Sequence, residues 1–179
     1  SFIWYANDQL NHDSNVTSGL IIHPPGAALG EDFLQTLRNY FPLAKRKLSI
    51  VVGHVNPNRV LLLRELYQNY DDITLVCSSP GEKLLKDLWN LEKPSGPKIK
   101  KLPLPNFHTI KKKETLILDN QIKLTLIPTP TSRWPGGLVA FEENSGLLMS
   151  GKLFGTHLCT AEWAEINSIS TEEDRRHYF

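Results

Sequence analysis

Apolar residues fall along this chain in two kinds of run, and the change from one kind to the other marks its organisation. Gly19-Leu20-Ile21-Ile22-His23, Leu48-Ser49-Ile50-Val51-Val52 and Ile73-Thr74-Leu75-Val76-Cys77 are short, largely apolar and followed by proline, glycine or serine, which predicts buried strands. Between the first two, Phe33, Leu34, Leu37, Tyr40 and Phe41 recur every three or four positions from Glu31 until Pro42, the spacing of an amphipathic helix stopped by proline. A second helix is predicted from Val60 to about Tyr70, with Asn58 placed to cap it. Ser78-Ser79-Pro80-Gly81-Glu82 opens a third, whose inner face carries Leu84, Leu85, Leu88, Trp89 and Leu91. Strands separated by single helices predict a parallel sheet of βαβ units.

After Leu91 the pattern changes. Residues 93–105 carry four prolines and four lysines and read as an extended basic loop. Leu116-Ile117-Leu118 and Ile122-Lys123-Leu124-Thr125-Leu126-Ile127, joined across Asp119-Asn120, predict a hairpin with alternating faces. A loop rich in proline and glycine follows over 128–137. Leu138-Val139-Ala140-Phe141 and Gly146-Leu147-Leu148-Met149-Ser150 predict a second hairpin. At the end, Ser170-Thr171-Glu172-Glu173-Asp174-Arg175-Arg176 has the acidic first turn of a helix. Residues 1–18 show no period and read as an arm, or as the remnant of elements in front; residues 19–179 read as one domain. There are no internal repeats.

The composition fits that of one globular domain: 179 residues, 40% hydrophobic and 22% charged. A net charge of +1 gives no global reason to expect nucleic acid. No apolar run approaches the roughly 18 residues of a membrane span, and no signal peptide is recognisable, so any transit peptide is expected to have been removed already. Cys77 and Cys159 belong to no Cys-x-x-Cys pair; a disulfide is open to them, but two buried free thiols are the expectation. The triplet Asn15-Val16-Thr17 is a sequon of a kind that arises often by chance.

The candidate chemistry lies in Gly53-His54-Val55-Asn56-Pro57-Asn58-Arg59, where a strand hands over to a helix at its carboxyl end, the place where α/β folds keep their sites. Two further stretches join it: Pro128-Thr129-Pro130-Thr131-Ser132-Arg133-Trp134-Pro135-Gly136-Gly137 and Leu147-Leu148-Met149-Ser150-Gly151-Lys152-Leu153-Phe154-Gly155. Together they resemble the H-x-E-x-D-H, T-P-x-x-H-W-P-D and L-L-F-S-G-D-x-F-G segments of the metallo-β-lactamase-like domain of flavodiiron proteins, also called A-type flavoproteins. The resemblance covers roughly residues 19–179. It implies an α/β fold, a metallo-β-lactamase-like αββα sandwich, incomplete at both ends and truncated before its last ligand loop.

In that family the domain holds a diiron centre that reduces oxygen or nitric oxide, with electrons from the FMN of a following flavodoxin domain. The resemblance implies that the family's ligand positions fall on His54, Asn56, Asn58, Arg59, Arg133 and Lys152, and that only the first keeps its residue type. Arginine and protonated lysine have no lone pair to donate, and asparagine offers only a neutral carbonyl. Like charges about 4 Å apart repel by roughly 4 kcal/mol at an effective dielectric of 20, so Arg59, Arg133 and Lys152 oppose bound cations. The expected site is therefore metal-free and without catalytic residues, and this domain is expected to hold no cofactor, FMN belonging to a domain outside the segment.

Such replacements resemble those of flavodiiron paralogues in cyanobacteria and plastids. They imply a non-iron component of NAD(P)H- or ferredoxin-linked oxygen reduction, in the chloroplast stroma or the cyanobacterial cytoplasm, forming homo- or hetero-oligomers with a paralogue that carries the iron. The alternative is a non-catalytic binding or assembly module in which His54, Arg59, Arg133 and Lys152 hold an anion. Acidic side chains of the same chain pairing with these cations is the plainer expectation. His54 alone reads as a structural loop residue, since a metal site needs three or four donors. His23 at a strand end is expected to bond nearby backbone, and His108 and His157 to be ordinary. Lys98, Lys100, Lys101 and Lys111-Lys112-Lys113 suit an acidic electron-transfer partner, or more plainly a solvated face. Trp89 and Trp134 read as core and loop packing.

Overall fold

The computed structural model of the protein describes residues 2–7, 16–40, 47–91, 100–118 and 122–153. Among the described residues nine strands form two sheets and three α-helices connect them, in the order β1 (Phe2–Asn7), β2 (Val16–Ile22), a 3-10 turn (Ala27–Leu29), α1 (Gly30–Tyr40), β3 (Lys47–Val52), α2 (Pro57–Asn69), β4 (Asp72–Ser78), α3 (Ser79–Trp89), β5 (Asn106–Ile110), β6 (Glu114–Leu118), β7 (Ile122–Pro128), β8 (Leu138–Glu142) and β9 (Leu147–Met149). The first sheet runs β1-β2-β3-β4-β5 and the second β6-β7-β8-β9. Strands β2 to β5 are parallel, as the alternation with helices requires; β1 pairs antiparallel to β2, and the second sheet is antiparallel throughout.

Alternation along the first sheet splits the core in two, because successive side chains leave a strand on opposite faces. Ile21, Leu48, Ile50, Val52, Leu75 and Cys77 pack with Leu34 and Leu37 of α1, Leu62, Leu63 and Leu66 of α2, and Leu85 and Trp89 of α3. Leu20, Ile22, Val51, Val76 and Ile110 pack on the other side with Leu124 and Leu126 of β7 and Leu138 and Ala140 of β8. Both faces of β3 and β4 are thus covered, which is why they read as nearly continuous apolar runs. Each fully buried aliphatic side chain contributes on the order of 1.5–3 kcal/mol.

Several expectations are corrected. The sequence of residues 1–18 lacks a period, yet residues 2–7 form the outermost strand of the first sheet. The stretch Asn-Phe-His-Thr-Ile, too polar to stand out as a strand, is β5, because it completes the parallel ladder beside β4. Leu91 is not on the inner face of α3: the helix ends at Trp89, and Leu91 is 57% exposed. The helix expected from Ser170 and the residues Asn15, His157 and Cys159 lie outside the described residues.

One buried cation anchors the basic loop. Arg64 of α2 donates to the carbonyls of Trp89 and Lys100 and to Oδ1 of Asn90, the last at 2.8 Å. Asn90 bonds Leu102 through both amide atoms, at 2.9 and 3.0 Å, and Trp89 Nε1 donates to the Pro103 carbonyl at 2.9 Å. Buried carbonyls that leave regular structure need such donors. Of the lysines singled out in the sequence, Lys98 lies outside the described residues and the others fall in two groups. Lys100 and Lys101 precede β5, and Lys111, Lys112 and Lys113 follow it; a five-residue strand holds its ends about 13 Å apart. His108 of β5 pairs with Glu114 of β6 at 2.7 Å.

Candidate functional site

The three stretches singled out in the sequence meet at the carboxyl ends of the parallel strands. After β3, Gly53 opens the loop to α2, and its place is fixed by space: a Cβ there would lie 2.2 Å from the Leu138 carbonyl oxygen and 2.4 Å from Cε1 of His23. The cap of α2 is Asn56, not Asn58. Its backbone is extended, its Oδ1 accepts from the Arg59 N–H at 2.8 Å, and Pro57 begins the helix. Proline has no N–H to lose and a φ already suited to the first helical position, so the capping residue is the one before it. Asn58 sits exposed in the first turn.

Asn56 also determines the state of His54. Since its oxygen faces the Arg59 amide, its nitrogen faces Nε2 of His54, 3.0 Å away. An amide nitrogen donates only, so Nε2 is the acceptor and the ring proton resides on Nδ1. His54 is buried, and its pKa is pushed from 6.5 down to about 4, first by burial and then by the charges of Arg59 and Lys152. The imidazole is therefore neutral, with its lone pair in use.

Arg59 returns to the same loop, donating from one guanidinium nitrogen to the His54 carbonyl at 2.7 Å. Its Nε is buried without an acceptor among the described residues. Desolvation lowers its pKa as well.

The second loop folds back on itself at Trp134. Its amide donates to the carbonyl and the hydroxyl of Thr131, at 3.1 and 3.0 Å, and its carbonyl accepts from Gly137 at 3.0 Å. The indole then stands edge-on to His54, with ring centroids 4.3 Å apart at 88°, a favourable aromatic geometry. Arg133 lies over the Trp134 ring, 5.3 Å from its centroid, within cation–π range.

The third stretch brings Lys152 to the mouth of a cleft lined by Gly53, Thr129, Trp134, Leu138 and Ser150, among others. Its interior of about 10 Å³ has room for roughly one water. Below it, His23 bridges the sheets: Nδ1 accepts from the Gly53 amide at 3.2 Å and Nε2 donates to the Met149 carbonyl at 3.1 Å. Both partners are backbone, as expected of this residue. Burial is the main cause of its lowered pKa, with Arg59 adding to it.

His54, Arg133 and Lys152 are thus gathered around Trp134, with Arg59 bonded to the His54 carbonyl, whereas His108 lies elsewhere. The expected carboxylate partners of the three cations are not found among the described residues; a carbonyl and an aromatic face serve Arg59 and Arg133 instead. Of the six positions equated with iron ligands, His54 alone has a nitrogen lone pair, and Asn56 occupies it. Among the described residues no three His, Cys, Asp or Glu side chains converge. As a donor set for two iron ions, these six side chains do not fit. Sequence reasoning missed the tautomer of His54 and the clasp made by His23; the left-handed backbone of His23, φ 53°, is not legible in its residue type.

No family model matches the chain. It is 35% identical over 167 residues to diflavin flavoprotein A 4 of Synechocystis sp., covering 89% of this chain and 25% of that protein. To diflavin flavoprotein A 6 of Nostoc sp. it is 32% identical over 164 residues, covering 89% and 26%. Among solved structures, the metal-soaked flavodiiron core of a Synechocystis sp. protein superposes with a TM-score of 0.71 at 28% identity, covering 90% of this chain and 38% of that one. A fragment of diflavin flavoprotein A 5 of Nostoc sp. gives 0.69 at 26% identity, covering 98% and 70%. The two-sheet architecture with its loops at the strand ends is that of a metallo-β-lactamase-like α/β core. The chain belongs to the flavodiiron, or A-type flavoprotein, family. It spans about a quarter of the length of the curated relatives it matches.

Proposed function

We propose that this chain is a non-iron domain of the flavodiiron family, acting in oxygen reduction beside a paralogous chain that carries the iron. One observation carries the reading: the only imidazole at the former ligand positions already accepts a hydrogen bond from Asn56, while Arg59 and Lys152 act on it as positive charges. A cation entering this loop would have to displace that bond and lie against those charges, which costs several kcal/mol at short range. NAD(P)H or ferredoxin supplies the electrons in this reading, and FMN belongs to a domain beyond this segment. The cyanobacterial relatives support a photosynthetic setting, in the cyanobacterial cytoplasm or the chloroplast stroma. Among the described residues no helix is long and apolar enough to cross a membrane.

The test is metal analysis after anaerobic loading with ferrous iron, followed by oxygen uptake with and without an iron-bearing paralogue. Substoichiometric iron, and uptake that rises on mixing beyond the sum of the separate rates, are the expected results. About two irons per chain would overturn the proposal.

A second reading is favoured by the buried Nε of Arg59, which has no acceptor among the described residues. A buried donor without a partner is costly, and a small anion in the basic pocket would satisfy it. The ions to try are chloride and phosphate. Titration with each ion, followed by calorimetry, should show binding that weakens in Arg133→Ala and Lys152→Ala. An absence of binding by the parent protein sinks this reading.

A further inference from the structure

We propose that His23 is the positioning residue of the basic pocket: it ties the backbone in front of His54 to the backbone in front of Lys152 and so fixes the distance between the two side chains. Gly53 directly precedes His54, and its amide donates to Nδ1 of His23 at 3.2 Å. Met149 lies three residues before Lys152, and its carbonyl accepts from Nε2 at 3.1 Å. One neutral imidazole, donor on one side and acceptor on the other, matches these two backbone groups.

The space around the ring fits the same role. A Cβ on Gly53 would lie 2.4 Å from Cε1, and one on Gly151 would lie 3.5 Å from Nε2, so two glycines bring the main chain against the imidazole from both loops. Gly151 has φ +62°, a conformation glycine adopts without penalty. His23 itself is left-handed, with φ 53°. For a non-glycine residue that conformation costs about 1–2 kcal/mol and persists only where the surroundings over-determine it. Here it turns the chain at the end of β2 so that the ring enters the gap between the ends of β3 and β9. The cross-link joins the two sheets beside Gly53, which lines the cleft.

Two conservative replacements separate positioning from mere support. An asparagine oxygen reaches the place of Nδ1, and asparagine tolerates a left-handed backbone; a glutamine amide reaches the place of Nε2. In His23→Asn the Gly53 amide should keep its acceptor while the Met149 carbonyl loses its donor. His23→Gln should do the reverse, and His23→Ala should lose both. The measurement is nuclear magnetic resonance on the full chain: the Gly53 and Gly151 amide shifts, and the cross-peak between the His54 and Trp134 rings. Selective shift changes in the Asn and Gln variants, with loss of the ring cross-peak in His23→Ala, are expected. If all three variants lower Tm but leave the Gly53 and Gly151 amides and the His54–Trp134 cross-peak as in the parent, His23 only supports the fold and the assignment is wrong. Should His23→Ala fail to fold, the contrast between His23→Asn and His23→Gln decides alone.

Discussion

The amide nitrogen of Asn56 lies 3.0 Å from Nε2 of His54, and the same side chain caps α2 through its oxygen. One residue thereby fixes both the start of a helix and the protonation state of His54. Asn56→Asp tests the coupling. A carboxylate keeps the cap but has no proton to give, so His54 should turn its own Nε2–H towards it, and its pKa should rise from about 4 as an adjacent negative charge favours imidazolium. Asn56→Ala should cost about 1 kcal/mol through the cap alone. A histidine titration followed by ¹⁵N shifts reads the first and urea unfolding the second; an unchanged His54 midpoint in Asn56→Asp would contradict the assigned tautomer.

Acid should weaken the fold in two steps. His54 titrates near 6.5 unfolded and at about 4 folded, and His23 is shifted the same way. The unfolded chain therefore binds more protons between those values, so this part of the stability is whole above pH 6.5 and is lost as pH falls through the folded pKa. Glu82, held down by bonds from Lys86 and Thr109, and Glu142, held down by Ser145 and Asn144, give the same sign only below the ordinary carboxylate range. Urea midpoints measured between pH 7.5 and 5 should fall, and fall less in His54→Gln. A midpoint that rises towards pH 5 would reverse the argument.

Gly53 and Gly146 make a matched pair. Alanine at Gly53 meets the Leu138 carbonyl at 2.2 Å and the His23 ring, so backbone has to move, and a loss of roughly 2–3 kcal/mol is expected. At Gly146 nothing lies within 4 Å, and only its φ of +67° resists substitution, which costs about 1 kcal/mol. Thermal or urea unfolding of both variants checks the order; equal losses would show that crowding at Gly53 is relieved more easily than its neighbours suggest.

Arg64→Met should destabilise by roughly 2–3 kcal/mol, because it leaves the carbonyls of Trp89 and Lys100 short of a buried donor. Hydrogen exchange should quicken most at Leu102, whose amide bonds the Asn90 oxygen that Arg64 also holds. Uniform loss of protection across the domain would argue that Arg64 serves the whole fold and not this loop.

The sequence alone determined the strands and helices whose apolar residues follow a period: β3, β4, α1, α3 and the two hairpins have patterns that only one face, or two buried faces, can satisfy. It also determined the chemistry of the loops, since arginine, lysine and asparagine carry their donor character wherever they are placed. Tertiary structure decided the rest. β5 is a strand because β4 offers it a ladder; its own residues, Asn106 to Ile110, lack a period. Asn56 caps α2 because Pro57 takes the first helical position, and its amide reads the proton of His54 because the helix start turns it back on the loop. Arg133 and Lys152 lie far from His54 in sequence, and only the folding of three loops over the strand ends makes them neighbours, which is a matter of backbone geometry that no single residue type encodes.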